Sequence, residues 1–246
     1  MTEPSATPAR RAPRVPPAAR RFLLGALLLA LVLSAFGFWI SLPDVRPLAG
    51  DNPTTTAFIA RARAAAGGGQ VDWHWVPYDQ ISPSLKRAVL VAEDISFFTH
   101  GGFSFPEIKD AVDQSLKEGV RLRGASTITQ QLAKNLWLSP KRSLIRKLRE
   151  AAITIELEHY LGKRRILELY LNVVQFGPGV FGADAAAERY FGKTALELTD
   201  HEAAELAAGL SRPSIWNPES TSASYRERVQ LVEDRMAKAE FLWRQI

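Results

Sequence analysis

The 246-residue chain carries 31 Lys and Arg, 26 Asp and Glu, no cysteine and a net charge of +5. That length suits one ordinary domain plus an anchor, and the lack of cysteine excludes disulfides, zinc–thiolate sites and thiol nucleophiles. Residues 1–21 hold five arginines against Glu3, which is +4, so the other 225 residues carry only +1 and no nucleic-acid partner is expected.

Residues 1–21 are mostly Pro, Ala and Arg and read as a disordered basic tail. Phe22 to Leu42 are 21 residues without a charge, about 30 Å as a helix, which is roughly one bilayer core. Trp39 sits near the far end, where an indole suits the interface. The arginines before this segment place residues 1–21 in the cytoplasm and everything after about residue 43 outside. A cleaved signal peptide is the competing reading. It expects an apolar core of about 7–15 residues and a small-residue cleavage site, and neither is evident.

Residues 43–70 contain prolines, a threonine run and Gly67-Gly68-Gly69, and read as an extracytoplasmic tether. Residues 71–246 are then the folded domain. Val71, Trp73 and Trp75 alternate with Asp72 and His74, which predicts a short extended segment. Ser82-Pro83 signals a helix start, and Ser104-Phe105-Pro106-Glu107 a capping box. Ser139-Pro140 predicts a helix from Pro140 to about Tyr160, with Gly162 as its stop and Lys163 opening the next. Thr199-Asp200-His201-Glu202 is another capping box before an alanine-rich helix, and a last amphipathic helix is expected over about Tyr225 to Arg244. Strands do not alternate with helices, so the expected class is all-α with one N-terminal transmembrane helix.

The chemistry concentrates between Val120 and Glu150. This stretch holds Arg121, Arg123, Lys134, Lys141, Arg142, Arg146, Lys147 and Arg149, and its first acid is Glu150. Ser126 is expected to cap a helix starting near Thr127, whose free N–H groups suit an anion. Thr129, Gln130 and Gln131 add side-chain donors, and Lys134 lies one turn on. Arg142, Arg146 and Glu150 fall at i, i+4 and i+8 on one stripe, while Leu144, Leu148, Ala151 and Ile155 form an apolar stripe expected to face the core. Spacing alone leaves two readings open, a pyrophosphate site or a solvated, salt-bridged face. Upstream, Glu93 and Asp94 follow the apolar run Ala88 to Ala92. A carboxylate in apolar surroundings tends toward a raised pKa and suits general base or acid work. His100 lacks partners at metal-ligand spacing and reads as a packed or hydrogen-bonded side chain.

In these residues the chain resembles the glycosyltransferase family that polymerises peptidoglycan strands from lipid II. Five motif regions occur in order. They are Glu93-Asp94-x-x-Phe97-x-x-His100-x-Gly102; Gly124-Ala125-Ser126-Thr127-Ile128-Thr129-Gln130-Gln131-x-x-Lys134-Asn135; Arg146-Lys147-x-x-Glu150; Ile166-Leu167-Glu168-x-Tyr170-Leu171-Asn172 running to Phe176-Gly177-x-Gly179; and the Ala203–Leu210 helix with Arg212-Pro213 and Trp216-Asn217-Pro218. The resemblance covers roughly residues 70–220, and within the family it is most similar to the monofunctional biosynthetic transglycosylases. Ser-x-x-Lys, needed by a transpeptidase domain, is not in the sequence. Two positions depart from the family pattern: Ala125 replaces a glycine, and Ser104 an acid.

The resemblance implies a lysozyme-like, two-lobed helical domain on the periplasmic side of a bacterial inner membrane. It implies Glu93 and Glu150 as catalytic residues. Asp94, Gly124, Ser126, Thr129, Gln130, Gln131, Lys134, Asn135, Arg142, Arg146 and Lys147 are implied to bind substrate. Glu93 would be the base that activates the acceptor 4-hydroxyl, with inversion at the donor anomeric carbon and release of polyprenyl pyrophosphate. The implied partners are lipid II, the nascent glycan strand, the membrane, and penicillin-binding proteins or divisome components. A divalent cation (Mg or Mn) is the one candidate cofactor, with no ligands assigned. The helix expected from Ser104 to about Leu122 carries Phe105, Ile108, Val112, Leu116 and Val120, with Phe103 just before it, and two readings of this stripe stay open: a second membrane contact, or core packing. A lytic glycan hydrolase and a non-catalytic anchored adaptor are the alternative functions.

Overall fold

The computed structural model describes residues 17–68, 70–119, 126–141 and 143–246. Arg121, Arg123, Gly124, Ala125, Val120, Arg142 and most of the basic tail lie outside the described residues. The chain divides into two compact units, Met1–Leu42 and Pro43–Ile246.

The described part of the first unit holds one helix, α1 (Pro17–Ile40). Among the described residues, it is the single helix long and apolar enough to cross a membrane, over Ala19–Ile40. Its leucines and phenylalanines are exposed all round, which water would not favour and a lipid environment would.

The second unit is mainly helical. Its helices are α2 (Ala57–Ala65), α3 (Pro83–Glu93), α4 (Phe105–Glu118), α5 (Ile128–Trp137), α6 (Leu144–Tyr160), α7 (Lys163–Val173), α8 (Ala183–Phe191), α9 (Asp200–Gly209) and α10 (Ala223–Lys238). α3 packs against α9 and α10, while α5 packs against α6, α7 and α2. The alanines of α9 (Ala203, Ala204, Ala207 and Ala208, all buried) let it lie close to α3. Among the described residues, three short strands form one sheet in this unit. β1 (Asp72–Trp73) runs parallel to β3 (Val180–Phe181), and β2 (Gln175–Gly177) antiparallel to it. The expected extended segment is therefore β1. Asn172 fixes this corner: its amide donates to Val76 O at 2.9 Å, its Oδ1 accepts Val76 N–H, and its carbonyl accepts the Trp73 indole at 2.7 Å.

Most start signals act as read. Ser82 caps α3 by accepting from Leu85 N–H, and Thr199 with Glu202 forms the capping box of α9. Gly162 separates α6 from α7. The last helix stops at Lys238 and gives way to a 3-10 turn over Glu240–Arg244. Ser104 sits at the N-cap of α4 without a capping bond, because Glu107 accepts from Ser96 Oγ instead. α6 begins at Leu144, capped by Ser143, four residues later than the Ser139-Pro140 signal suggested. Ser139 instead accepts locally from Lys141 N–H.

Two larger expectations are corrected. Residues 43–70 are folded into the domain. Thr56 caps α2, and Ile59 is fully buried in a cluster with Val71 and Phe181. Arg165 reaches back to Leu48 O, Asp51 O and Asn52 Oδ1. The Thr, Pro and Gly content hid a short helix whose Phe58, Ile59 and Ala62 make one contact face. The second correction concerns the apolar stripe of α6. Leu144, Leu148 and Ile155 are 85%, 62% and 57% exposed, and the buried face is Glu150, Ile153, Thr154 and Leu157.

The burial of Ile59 yields a direct test. Ile59→Ala should lower the domain's unfolding free energy by about 2–5 kcal/mol, as for other large-to-small core changes. Denaturant unfolding of residues 43–246 measures this, and an unchanged midpoint would restore the tether reading.

Candidate active site

The site forms where α3 ends and α5 begins. Asp94 follows the last residue of α3, and its carboxylate is buried. It accepts from His100 Nε2 at 2.9 and 3.1 Å and from the Ile128 backbone N–H at 3.0 Å, one of the free amides of the first turn of α5. His100 Nδ1 accepts from Gly102 N–H at 3.1 Å, so Nε2 carries the proton given to Asp94. The Gly102 carbonyl in turn accepts from Thr127 Oγ1 at 2.7 Å. Thr127, not Ser126, is the N-cap of α5 and forms a capping box with Gln130. Three closely spaced hydroxyl residues, Ser126, Thr127 and Thr129, left the cap ambiguous in sequence.

Glu93, beside Asp94, meets a different environment. Its Oε2 accepts from Gln131 Nε2 at 2.7 Å. Burial pushes its carboxyl above the ordinary value; the Gln131 hydrogen bond, Arg228 and Lys134 pull it down, and Asp94 pushes it up. The carboxylate lines a cavity of about 470 Å³ together with Asp94, Glu107, Asp110, Gln114 and Arg235. Arg228 and Arg235 of α10 donate to the Ala92 and Val91 carbonyls at 3.2 and 3.3 Å. They satisfy the C-terminal carbonyls of α3, where an acid such as Glu93 is otherwise disfavoured.

A second cavity, about 380 Å³, has Gln131 in its wall. Phe58, Ser126, Gln130, Gln131, Lys134, Pro140, Arg146, Lys147 and Glu150 line it. Glu150 is buried and takes Arg146 at 2.5 Å and also Lys147. Three cations against one carboxylate leave the cavity positive. Burial pushes the Lys134 ammonium below its ordinary value; Glu150 pulls it up, Arg146 pushes it down, Glu93 pulls it up and Lys147 pushes it down. Arg146 also keeps a buried Nε without a partner. An anion entering here would relieve both features.

The structure thus brings together Glu93, Ser126, Gln130, Gln131, Lys134, Arg146, Lys147 and Glu150 from the expected set. Asp94 holds α5 in place. Thr129 is fully buried and donates to Glu158 Oε1 at 2.5 Å, and Asn135 is buried outside both cavity linings. Gly124 and Arg142 lie outside the described residues. Sequence reading missed Phe58, because its segment read as a tether. It missed Arg228 and Arg235, whose partners lie 136 and 144 residues away, and no local signal marks them. Both Glu150 oxygens already face cations, and among the described residues no three His, Cys, Asp or Glu side chains converge.

Comparison with known proteins gives matching results. The family model described as transglycosylase matches residues 61–237. A protein of Alcanivorax borkumensis named biosynthetic peptidoglycan transglycosylase is 43% identical over 218 residues, covering 89% of this chain and 88% of that one. Proteins of the same name from Nitrosospira multiformis and Chromobacterium violaceum are 43% and 40% identical, over 76% and 89% of this chain and 84% and 96% of theirs.

The Asp94–His100–Gly102–Thr127 chain passes through a glycine where any side chain would be strained. Gly102 has φ +88°, and a Cβ there would press on the Thr154 methyl and on Glu158 Cγ. Gly102→Ala should cost about 1–3 kcal/mol in unfolding free energy and lower activity with it. Gly101→Ala, with open space around it, should stay within about 0.5 kcal/mol of wild type. Equal effects at the two positions would mean the latch does not matter.

Proposed function

The chain belongs to the transglycosylase family, and we propose that it is the peptidoglycan glycosyltransferase that joins lipid II units into β-1,4-linked glycan strands in cell-wall synthesis. The observation that carries this reading is a half-buried carboxylate, Glu93, hydrogen-bonded to Gln131, which itself lines an anion-ready cavity. Inversion at a sugar carbon needs the base and the leaving group on opposite faces. Glu93 takes the proton from the acceptor GlcNAc 4-hydroxyl as that oxygen attacks C1 of the donor MurNAc. The C1–O bond to the pyrophosphate breaks, the electron pair leaves with the polyprenyl pyrophosphate, and Lys134, Arg146 and Lys147 stabilise the charge that builds there. Glu150 fixes Arg146 and Lys147 in place. Base catalysis contributes about 10²–10⁴-fold, and leaving-group stabilisation at least as much.

A strand-cutting hydrolase has no pyrophosphate to hold, so the positive cavity argues against that alternative. A non-catalytic adaptor would need no base with a raised carboxyl.

The lipid end of the substrate supports a membrane-facing arrangement. α1 is the single-pass anchor, with its N-terminus in the cytoplasm and the catalytic domain in the periplasm. α4 turns Glu107, Asp110, Ala111 and Gln114 toward the Glu93 cavity, while Phe105 and Leu116, on its opposite face, are 75% and 78% exposed. None of its described side chains is fully buried, with Ile108, Val112 and the preceding Phe103 half-buried, and this supports the membrane contact over core packing. α6 likewise points Leu144, Ile145 and Leu148 outward. Both faces suit the acyl boundary of a bilayer. Penicillin-binding proteins and divisome components are admissible partners, with no residue assigned to them.

Purified protein incubated with lipid II should yield polymer that a muramidase digests. Glu93→Gln should reduce turnover by at least about 10²-fold; an active Glu93→Gln protein would refute the base assignment. Soluble fragments released from preformed glycan would instead favour the hydrolase. The base must be ionised to work, and burial raises its carboxyl, so activity should fall with acid at a pH above the ordinary carboxylate range. A pH–rate profile of kcat/KM checks this. Residues 43–246 without the anchor should still bind liposomes, and Phe105→Ser with Leu116→Ser should weaken co-flotation several-fold. No binding by the parent fragment would count against the second contact.

A further inference from the structure

One buried titratable group near the site has no part in the chemistry above. Tyr170, on α7, is fully buried. Its hydroxyl donates to Gln131 Oε1 at 3.0 Å, and the other end of the same amide, Nε2, donates to Glu93 Oε2 at 2.7 Å. We propose that Tyr170 is a positioning residue for the base: it locks the Gln131 amide so that its NH₂ group, not its oxygen, faces Glu93. The inference rests on Glu93 being the base.

An amide has a donor end and an acceptor end, so fixing one end fixes the other. Rotated by half a turn, Gln131 would place its carbonyl against the Glu93 carboxylate, two acceptors face to face. What opposes that turn is the Glu93 carboxylate, which when ionised can only accept, together with the Tyr170 hydroxyl, which donates to the amide oxygen left on the far side. Burial and the nearby Glu93 and Asp94 push the Tyr170 phenol well above its usual range, so it keeps its proton wherever the enzyme works. Other charged groups face Glu93 as well. Lys134 on α5 and Arg228 on α10 favour its ionised form, and Asp94 opposes it. Arg235, Glu107 and Asp110 share its cavity. All of these act on the carboxylate, while among the hydrogen bonds of the described residues it is Tyr170 that holds the far end of the amide.

Tyr170→Phe keeps the ring and removes one hydrogen bond, leaving the amide oxygen unpaired and the amide free to turn. A hydrogen bond to the charged form favours that form, so losing it raises the Glu93 carboxyl further. The acid limb of kcat/KM should move up by about half to one pH unit, and activity one unit below the wild-type limb should fall about 3- to 10-fold. KM should change less than about twofold, because Tyr170 lines neither cavity. Gln131→Ala should show a similar shift, and Tyr170→Phe should then add no more than about twofold in that background.

The experiment is lipid II polymerisation by the full chain across pH for wild type, both single variants and the double variant. An unmoved limb in Tyr170→Phe, or effects that multiply independently, would overturn the relay. If Tyr170→Phe does not fold, Gln131→Leu tests the same link, and an unmoved limb there is equally decisive. Glu93→Gln separates the two claims: if it is active, the base reading itself fails; if it is dead while Tyr170→Phe behaves as wild type, only the relay fails.

Discussion

The site depends on one buried carboxylate that ties two helices together. Burying an ionised Asp costs several kcal/mol unless its lone pairs are filled, and Asp94 fills them from two different parts of the chain. His100 comes from the loop after α3, and the Ile128 amide from the first turn of α5. The end of one helix is thereby tied to the start of another 34 residues later. Gly102 and Thr127 close the same ring. Because Gln131 follows Ile128 by three residues on a helix, the tie that holds Ile128 also sets where the Gln131 amide can reach.

Glu93 and Asp94 are neighbours with opposite surroundings. Asp94 is enclosed by donors and shows no exposed side chain. Glu93 has a single strong donor and an open cavity on its other side. A proton acceptor needs that opening, and a strut needs its absence. The pattern of two adjacent acids, one satisfied and one left partly unsatisfied, separates their roles without any difference in intrinsic acidity. Across Gln131 the logic reverses: cations outnumber Glu150, and what is unsatisfied there is a donor, Arg146 Nε. One side of the bridge lacks a proton source and the other lacks an anion, which is what a sugar transfer between a hydroxyl and a pyrophosphate would provide.

Much of this was legible in sequence. The caps at Ser82 and Thr199, the break at Gly162 and the extended segment at Asp72–Trp73 are local chemistry, and they fold as read. The ordered motifs located the site residues that meet across Gln131. What sequence did not yield was partner identity over distance. Thr129 looks like a free hydroxyl until Glu158 arrives from α6. Arg228 and Arg235 look like surface charges until α10 lands beside the carbonyls of α3. Residues 43–70 looked like a tether because Thr, Pro and Gly dominate their composition, although a capped turn with Ile59 at its centre lies within them.

The α6 stripe was misread for a different reason, and that reason bears on function. Periodicity identifies an apolar face; it does not identify the medium that face meets. In a water-soluble domain the medium is the core. Here Leu144, Leu148 and Ile155 face outward, while Arg146 and Glu150 lie on the opposite side of the same helix, toward the positive cavity. A helix with its side chains is about 10–12 Å across. A pyrophosphate bonded directly to a polyprenyl chain cannot stand much farther than that from the acyl region, because each CH₂ pulled into water costs about 0.8 kcal/mol. If the apolar face of α6 rests at the acyl boundary, its cationic face lies one helix diameter above, at the depth where the headgroup layer meets water. The helix then serves as the spacer between lipid and chemistry, and its apolar residues must face outward for the cations to lie at the right depth.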